Sequence, residues 1–152
     1  MLSSYISIII FLSSLSQTDL ELKKLSWMQL DDMTMEYKYN EEFGFDIPYP
    51  IFGEDIKKLN GQEVSLEGYV LLISADDDEE IVILSKYPYS QCFFCGGAGP
   101  ESVVDVLLTS EYLNHNLKMD QKVLFKGRLK LNADDLDHLN YIFEDAEIIS
   151  AK

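Results

Sequence analysis

Positive charge is scarce in this sequence. Only 12 lysine and arginine residues stand against 27 aspartate and glutamate residues, so the formal net charge is −15 over 152 residues. A surface of this kind repels phosphate backbones and anionic lipid headgroups. The composition therefore argues against a nucleic-acid-binding protein, and it favours neutral or cationic partners or metal ions.

Long apolar runs are also missing. The most apolar segment, Tyr5–Leu12, is far shorter than the roughly 20 residues that a membrane-spanning helix needs. Small residues follow it at Ser14 and Ser16, which is typical of an export signal, although no basic residue precedes Lys23. We predict a signal peptide at residues 1–16, an exported protein in the periplasm or outside the cell, and no membrane span in the mature chain. A wrongly assigned start codon or a buried first strand is the alternative.

Cysteine and histidine are equally rare, with two of each. This number excludes a scaffold held by several disulfides and a zinc site made of four cysteines. A chain of this size can bury about two-thirds of its unfolded surface, so it needs no disulfide for stability. Because Cys92 and Cys95 are only three positions apart, we expect them to have a local role.

The first part of the mature chain, residues 17–60, carries mixed signals. Leucines at irregular spacing among charged residues predict a polar helix over residues 17–34. Alternation predicts a strand at Met33–Tyr39. The prolines of Phe43–Phe52 exclude a helix and predict an extended segment over an apolar surface. A short helical turn at Glu54–Leu59 and a tight turn at Asn60-Gly61 are expected to follow.

The remainder, residues 61–152, reads as a small β-domain. Five strand-like runs, some alternating and some continuously apolar, predict five strands: Glu63–Ile73, Ile81–Ser85, Val103–Thr109, Lys122–Leu131 and Asn140–Ile149. A short helix, Ser110–Lys118, is expected between the third and the fourth strand. The order of elements and Gly68 within the long first strand favour an all-β fold, a five-stranded OB-like Greek-key barrel. A small open β-sandwich is the alternative.

Chemistry concentrates in the loop between the second and third strands. We predict a binding site for an unknown protein or small-molecule ligand formed by Tyr87, Tyr89, Cys92, Phe93, Phe94, Cys95, Gly96 and Gly97. Three uses of the thiols stay open at this point. Cys92 and Cys95 can form a disulfide that braces the loop, bind zinc or copper(I), or exchange thiol and disulfide.

Each reactive use of the thiols lacks a supporting feature. A zinc site needs two further ligands, and only His115 and His138 are available. Catalytic thiols need a cation or helix N-terminus beside them, and none is evident. No catalytic Ser/His/Asp set can be assembled. We therefore favour a non-enzymatic binding or accessory domain, with a periplasmic metal-handling or thiol-redox protein as the alternative.

The loop also carries a family resemblance, together with other short segments: Leu25–Trp27, Tyr49–Phe52, Leu59–Gly61, Gly68-Tyr69, Tyr87-Pro88 and above all Cys92–Ser102. Through them the chain from Leu25 to Ile149 resembles an uncharacterised family of exported OB-like proteins from Bacteroidetes-type bacteria with a CFFCGGAGPES motif. The resemblance implies an OB-like fold, an exported setting and the cysteine loop as the hallmark of the family. It implies no activity.

Overall fold

The computed structural model describes residues 22–74, 80–112 and 116–152. The predicted signal peptide at 1–16 lies outside these residues. Within them, no helix is long and apolar enough to cross a bilayer.

The N-terminal segment is a series of short elements. It comprises β1 (Lys23–Lys24), α1 (Trp27–Leu30), β2 (Met33–Asn40), β3 (Phe45–Phe52) and α2 (Glu54–Lys57). The predicted strand at Met33–Tyr39 and the helical turn at Glu54–Leu59 are therefore confirmed, and the extended segment predicted at Phe43–Phe52 is confirmed from Phe45 onward, since Phe43 and Gly44 form part of the hairpin turn. β2 and β3 form a separate two-stranded antiparallel sheet, with Met33 opposite Phe52 and Asn40 opposite Phe45.

The single helix predicted over residues 17–34 is wrong for the described part, residues 22–34. These residues form the short elements β1 and α1 and bond to the barrel instead. The backbone N–H of Leu25 donates to the carbonyl of Ser65 at 2.8 Å, and the Trp27 indole donates to the carbonyl of Glu67 at 2.8 Å. Because Leu25 is also buried, tertiary bonds and burial outweigh the weak helical pattern.

Five strands close into a barrel: β4 (Glu63–Ser74), β5 (Glu80–Ser85), β6 (Val103–Leu108), β7 (Lys122–Leu131) and β8 (Tyr141–Ala151). β4 pairs with both β5 and β7, β5 pairs with β6, and β7 pairs with β8, all antiparallel. A parallel pairing of β6 with β8 closes the ring. The fourth barrel strand lies beside the first, as in a Greek key, and this confirms the predicted all-β barrel.

The bend of β4 depends on a close approach at Gly68. A Cβ placed there would lie 2.6 Å from the Ser85 carbonyl oxygen and 2.9 Å from the Trp27 ring. Only glycine lets this strand pair with β5 at one end and with β7 at the other.

The helix predicted at Ser110–Lys118 does not appear in the residues that the structure describes. Residues 110–112 form a turn, residues 116–118 have no regular structure, and residues 113–115 lie outside the described residues.

Candidate functional site

The outer face of β4, β5 and β6 is apolar where a barrel surface is normally polar. Val70, Leu84 and Val104 face the main core inside the barrel. Their neighbours along the strands, including Leu71, Ile83 and Val103, point the other way and form a second buried cluster. A segment outside the barrel must therefore cover this face.

Cys92 lies in that cover. Its side chain has no solvent-exposed surface and belongs to the same cluster as Leu71, Ile83 and Val103, with Phe93 packed beside it. The loop between β5 and β6 thus folds back over the barrel. This places one of the two predicted site cysteines in a packing position.

Short 3-10 turns shape this loop: Tyr89–Gln91, Phe93–Cys95 and Pro100–Ser102. The carbonyl of Cys92 accepts hydrogen bonds from the backbone N–H groups of Cys95 at 3.2 Å and Gly97 at 3.1 Å. Between these donors, Gly96 adopts a φ of 74°, which glycine tolerates best. Turn geometry therefore accounts for Gly96.

The ends of the loop are tied down. The N–H of Lys86 donates to the carbonyl of Ser102 at 2.9 Å, which joins the two ends directly. The N–H of Tyr87 donates to Oγ of Ser85 at 3.2 Å, and that of Tyr89 donates to Oδ1 of Asp120 at 2.6 Å. These bonds connect the loop to β5 and to the turn before β7.

The predicted site residues separate into two groups. Cys92 and Phe93 pack inward, whereas Tyr87, Tyr89, Phe94 and Cys95 remain exposed. The rings of Phe93 and Phe94 meet edge to face with centroids 5.3 Å apart. The inward pair anchors the loop, and Phe94 is presented at its surface.

The two cysteines are free thiols and are not at disulfide distance. The disulfide considered above is therefore absent from this structure, because Cys92 is occupied in packing while Cys95 lies at the surface. Desolvation, together with hydrogen bonding to Cys92, raises the pKa of the Cys95 thiol, and a weaker hydrogen bond from Tyr89 opposes the shift. This direction disfavours the thiolate that nucleophilic or metal-binding chemistry requires.

The described residues bring no further metal ligands to the two thiols. Within them, no group of three or more histidine, cysteine, aspartate or glutamate side chains could hold an ion. His115 lies outside those residues, and His138 bonds to Asp105. Among the described residues, Cys92 and Cys95 are therefore two ligands short of the four that zinc takes.

Beyond the cover of the loop, the outer face continues as an open apolar groove with a cavity volume of about 590 Å³. Its walls come from β4, β5 and β6, from Phe94 of the cysteine loop, and from residues 136–139 of the loop between β7 and β8. Ile81, Leu107 and Leu136 each remain more than a third exposed there.

A polar pair interrupts the apolar lining. The Asp105 side chain is only 7% exposed, and its Oδ2 lies 3.0 Å from Nδ1 of His138. The same oxygen accepts the N–H of Leu139 at 2.8 Å. When Nδ1 carries the proton and donates to the carboxylate, Nε2 of the neutral ring is left as an acceptor.

The loop that carries His138 is built around Asn132. Its amide nitrogen donates to the carbonyls of Asp135 at 2.7 Å and Leu139 at 3.1 Å, and its amide oxygen accepts the N–H of Asp135 at 3.0 Å. Asn132 is buried, so the loop closes on itself and holds His138 beside β6.

Sequence reasoning missed this pair. The sequence offers His138 only as a possible zinc ligand from the loop before the last strand, and nothing in its pattern connects that histidine with Asp105 in the apolar strand Val103–Thr109. One signal was available, because a carboxylate within Val103–Leu108 must either leave the barrel interior or find a partner. The partner lies 33 positions away, and only the fold brings it close.

No protein-family model matches the chain, and no curated protein matches it. Among solved structures, the chain is similar to a DUF3299 family protein from Pseudomonas aeruginosa PAO1. The two are 18% identical with a TM-score of 0.46, over 86% of this chain and 95% of the other. The resemblance to exported OB-like proteins stays a prediction.

Proposed function

We propose that this protein is an exported, non-enzymatic binding domain whose outer groove takes a small, mainly apolar ligand carrying a hydrogen-bond donor. The observation that carries the proposal is the apolar groove beside β6, in which a nearly buried carboxylate holds an imidazole by one nitrogen. The cysteine loop supplies one wall through Phe94 and supports the floor through Cys92.

The size and lining of the groove suit a small molecule. Ligand pockets usually measure about 300–1,000 Å³ and are apolar apart from a few fixed polar groups. The groove has about 590 Å³, lined largely by aliphatic side chains with Asp105, Asp137 and His138 as its charged or polar members.

The position of the groove agrees with how such barrels bind. OB-folds use the face of the second and third strands together with the loop between the last two strands. Here these are β5, β6 and the loop that carries His138. Because folds host many functions, the argument depends on the side chains in the groove, and the position only adds to it.

The polar groups indicate the chemistry of the ligand. With Nδ1 of His138 donating to Asp105, Nε2 of an uncharged ring can accept a hydrogen bond from a ligand, and Asp137 lines the same groove. A net charge of −15 attracts cations and repels anions. We therefore expect an amine or another donor group on an apolar body, and we expect carboxylates of the same length to bind worse.

A matched trio of probes tests this proposal on the full chain: octylamine, octanol and octanoate, titrated by isothermal calorimetry and amide chemical shifts. We expect octylamine to bind most tightly and octanoate least tightly. The shifted amides should cluster on β5, β6 and residues 136–139. Absence of binding by all three probes would contradict the proposal.

Two variants with similarly exposed apolar side chains give the control. Leu107 is 41% exposed and lines the groove, whereas Ile149 is 45% exposed on β8 and does not line it. Leu107→Ser should weaken octylamine binding about fivefold through lost apolar contact, and Ile149→Ser should not. Equal effects of the two variants would place binding elsewhere.

A further inference from the structure

The hairpin of β2 and β3 has two outer edges. In the part of the chain that the structure describes, each of these strands pairs only with the other. Both edges therefore present backbone N–H and C=O groups without a strand partner. The two edges differ in whether a further strand could pair with them.

The outer edge of β3 is blocked. Pro48 lies opposite Tyr37 and Pro50 lies opposite Met35. A strand accepts proline only where its missing N–H would face away from the partner strand, so these positions remove two donors from the outer edge of β3. Two residues that face each other in an antiparallel ladder either both direct their backbone N–H and C=O groups towards the partner strand or both direct them away from it. Met35 and Tyr37 therefore also direct these groups away from β3.

The outer edge of β2 is open. Met35, Tyr37 and Tyr39 alternate along it, and none of them is a proline or part of a bulge. The Tyr37 and Tyr39 side chains are 74% and 66% exposed. An unprotected edge of this kind is a template for pairing with another strand.

We propose that the partner is a second copy of this chain, paired antiparallel through β2 about a two-fold axis at Tyr37. Tyr37 then faces its counterpart and Met35 faces Tyr39 of the other copy. About six backbone hydrogen bonds can form, two for each hydrogen-bonded pair. The contact is isologous and closes as a dimer.

Charge selects this register. With the axis at Tyr37, Glu36 of each copy faces Lys38 of the other, which gives two opposite-charge pairs. Moving the axis by one residue places Glu36 against its own counterpart or Lys38 against its own. These positions are non-hydrogen-bonded pairs, where side chains approach most closely and where opposite charges stabilise.

Lys38 leans towards β3 in this structure, and its side chain would turn to reach Glu36 of a second copy. Its Nζ lies 3.4 Å from the ring centroid of Tyr49, the residue of β3 that faces Glu36. Since each copy has a net charge of −15, general electrostatics oppose association. The two local ion pairs counter this repulsion at the contact itself.

Sedimentation equilibrium of the full chain at physiological ionic strength tests the proposal. The wild type should dimerise in the micromolar range or tighter. Glu36→Lys and Lys38→Glu alone each place like charges opposite one another and should weaken the dimer about tenfold. The double swap should restore it, and a mixture of the two single variants should form a heterodimer.

Matched controls carry the same charge changes on α2. Glu54→Lys and Lys57→Glu alter two exposed residues of that helix and should leave association unchanged. Tyr37→Pro removes an outward N–H without removing a bond to β3, so it should abolish the dimer while the circular dichroism spectrum is retained.

Three outcomes would overturn the proposal. One is a wild-type chain that stays monomeric at several hundred micromolar, which would leave this edge to a strand of another protein. Another is a dimer that resists both single charge variants. The third is a mixture of the single variants that forms no heterodimer.

Discussion

Replacing Cys92 separates a packing role from a paired-thiol role. Its side chain has no exposed surface and packs against Leu71, Ile83 and Val103. Cys92→Ser buries a hydroxyl among hydrocarbon, which should lower the free energy of unfolding by about 2 kcal/mol. Cys92→Ala leaves a cavity of about methyl size and should cost about 1 kcal/mol.

Cys95 provides the internal control, because it is exposed at the end of the same 3-10 turn. Cys95→Ser should leave the unfolding midpoint unchanged. In urea unfolding with a reductant present, we expect destabilisation to decrease in the order Cys92→Ser, Cys92→Ala, Cys95→Ser. For Cys92→Ser, the melting temperature should fall by about 7 °C for a chain of this size.

Thiol counting completes the assay. Ellman's reagent should titrate one thiol in the native wild type and two after denaturation. If Cys92→Ser and Cys95→Ser destabilise the protein equally, or if the native protein has no free thiol, the two sulfurs act as a pair. The packing argument would then be refuted.

Three further predictions follow from other contacts. Gly68→Ala should destabilise the barrel by more than 2 kcal/mol in urea unfolding, because the added Cβ meets the Ser85 carbonyl at 2.6 Å. Gly44→Ala should cost less, because nothing lies within 4 Å of the added Cβ and only the positive φ of 73° is unfavourable. Tyr141→Phe removes the buried hydroxyl that donates to the Leu30 carbonyl at 2.7 Å and should cost about 1–2 kcal/mol at pH 7. Burial raises the pKa of Tyr141, so ionisation above about pH 10 favours the unfolded wild type, and the advantage of the wild type over Tyr141→Phe should shrink there. Desolvation raises the pKa of the Cys95 thiol, so its alkylation by iodoacetamide should reach half its maximal rate at a higher pH than that of free cysteine; a lower midpoint would contradict a desolvated thiol at this position.

Local patterns in the sequence are sufficient to predict the strands of the barrel. Apolar runs indicate all five strands, alternating in β7 and nearly continuous in β5 and β6, and a glycine in the first strand indicates the bend, because a strand buried on one face has a period of two and a strand buried on both faces is apolar throughout. The prolines of β3 likewise marked an extended segment, since proline cannot enter a helix interior. These features depend on residues that are close together in the chain, so a single sequence is enough to reveal them.

The candidate site depended on contacts that no local pattern records. The cysteine loop was recognised from its composition, yet only the fold shows that Cys92 supports the outer face while Phe94 reaches the groove. Asp105 and His138 become a pair because β6 pairs with β8, and the loop between β7 and β8 ends beside Asp105. Likewise, residues 22–34 do not form the single helix that their weak pattern predicts, because Leu25 and Trp27 donate hydrogen bonds to carbonyl groups of β4. Where local preference is small, long-range burial and hydrogen bonding decide the structure, and these energies exist only once the chain has folded.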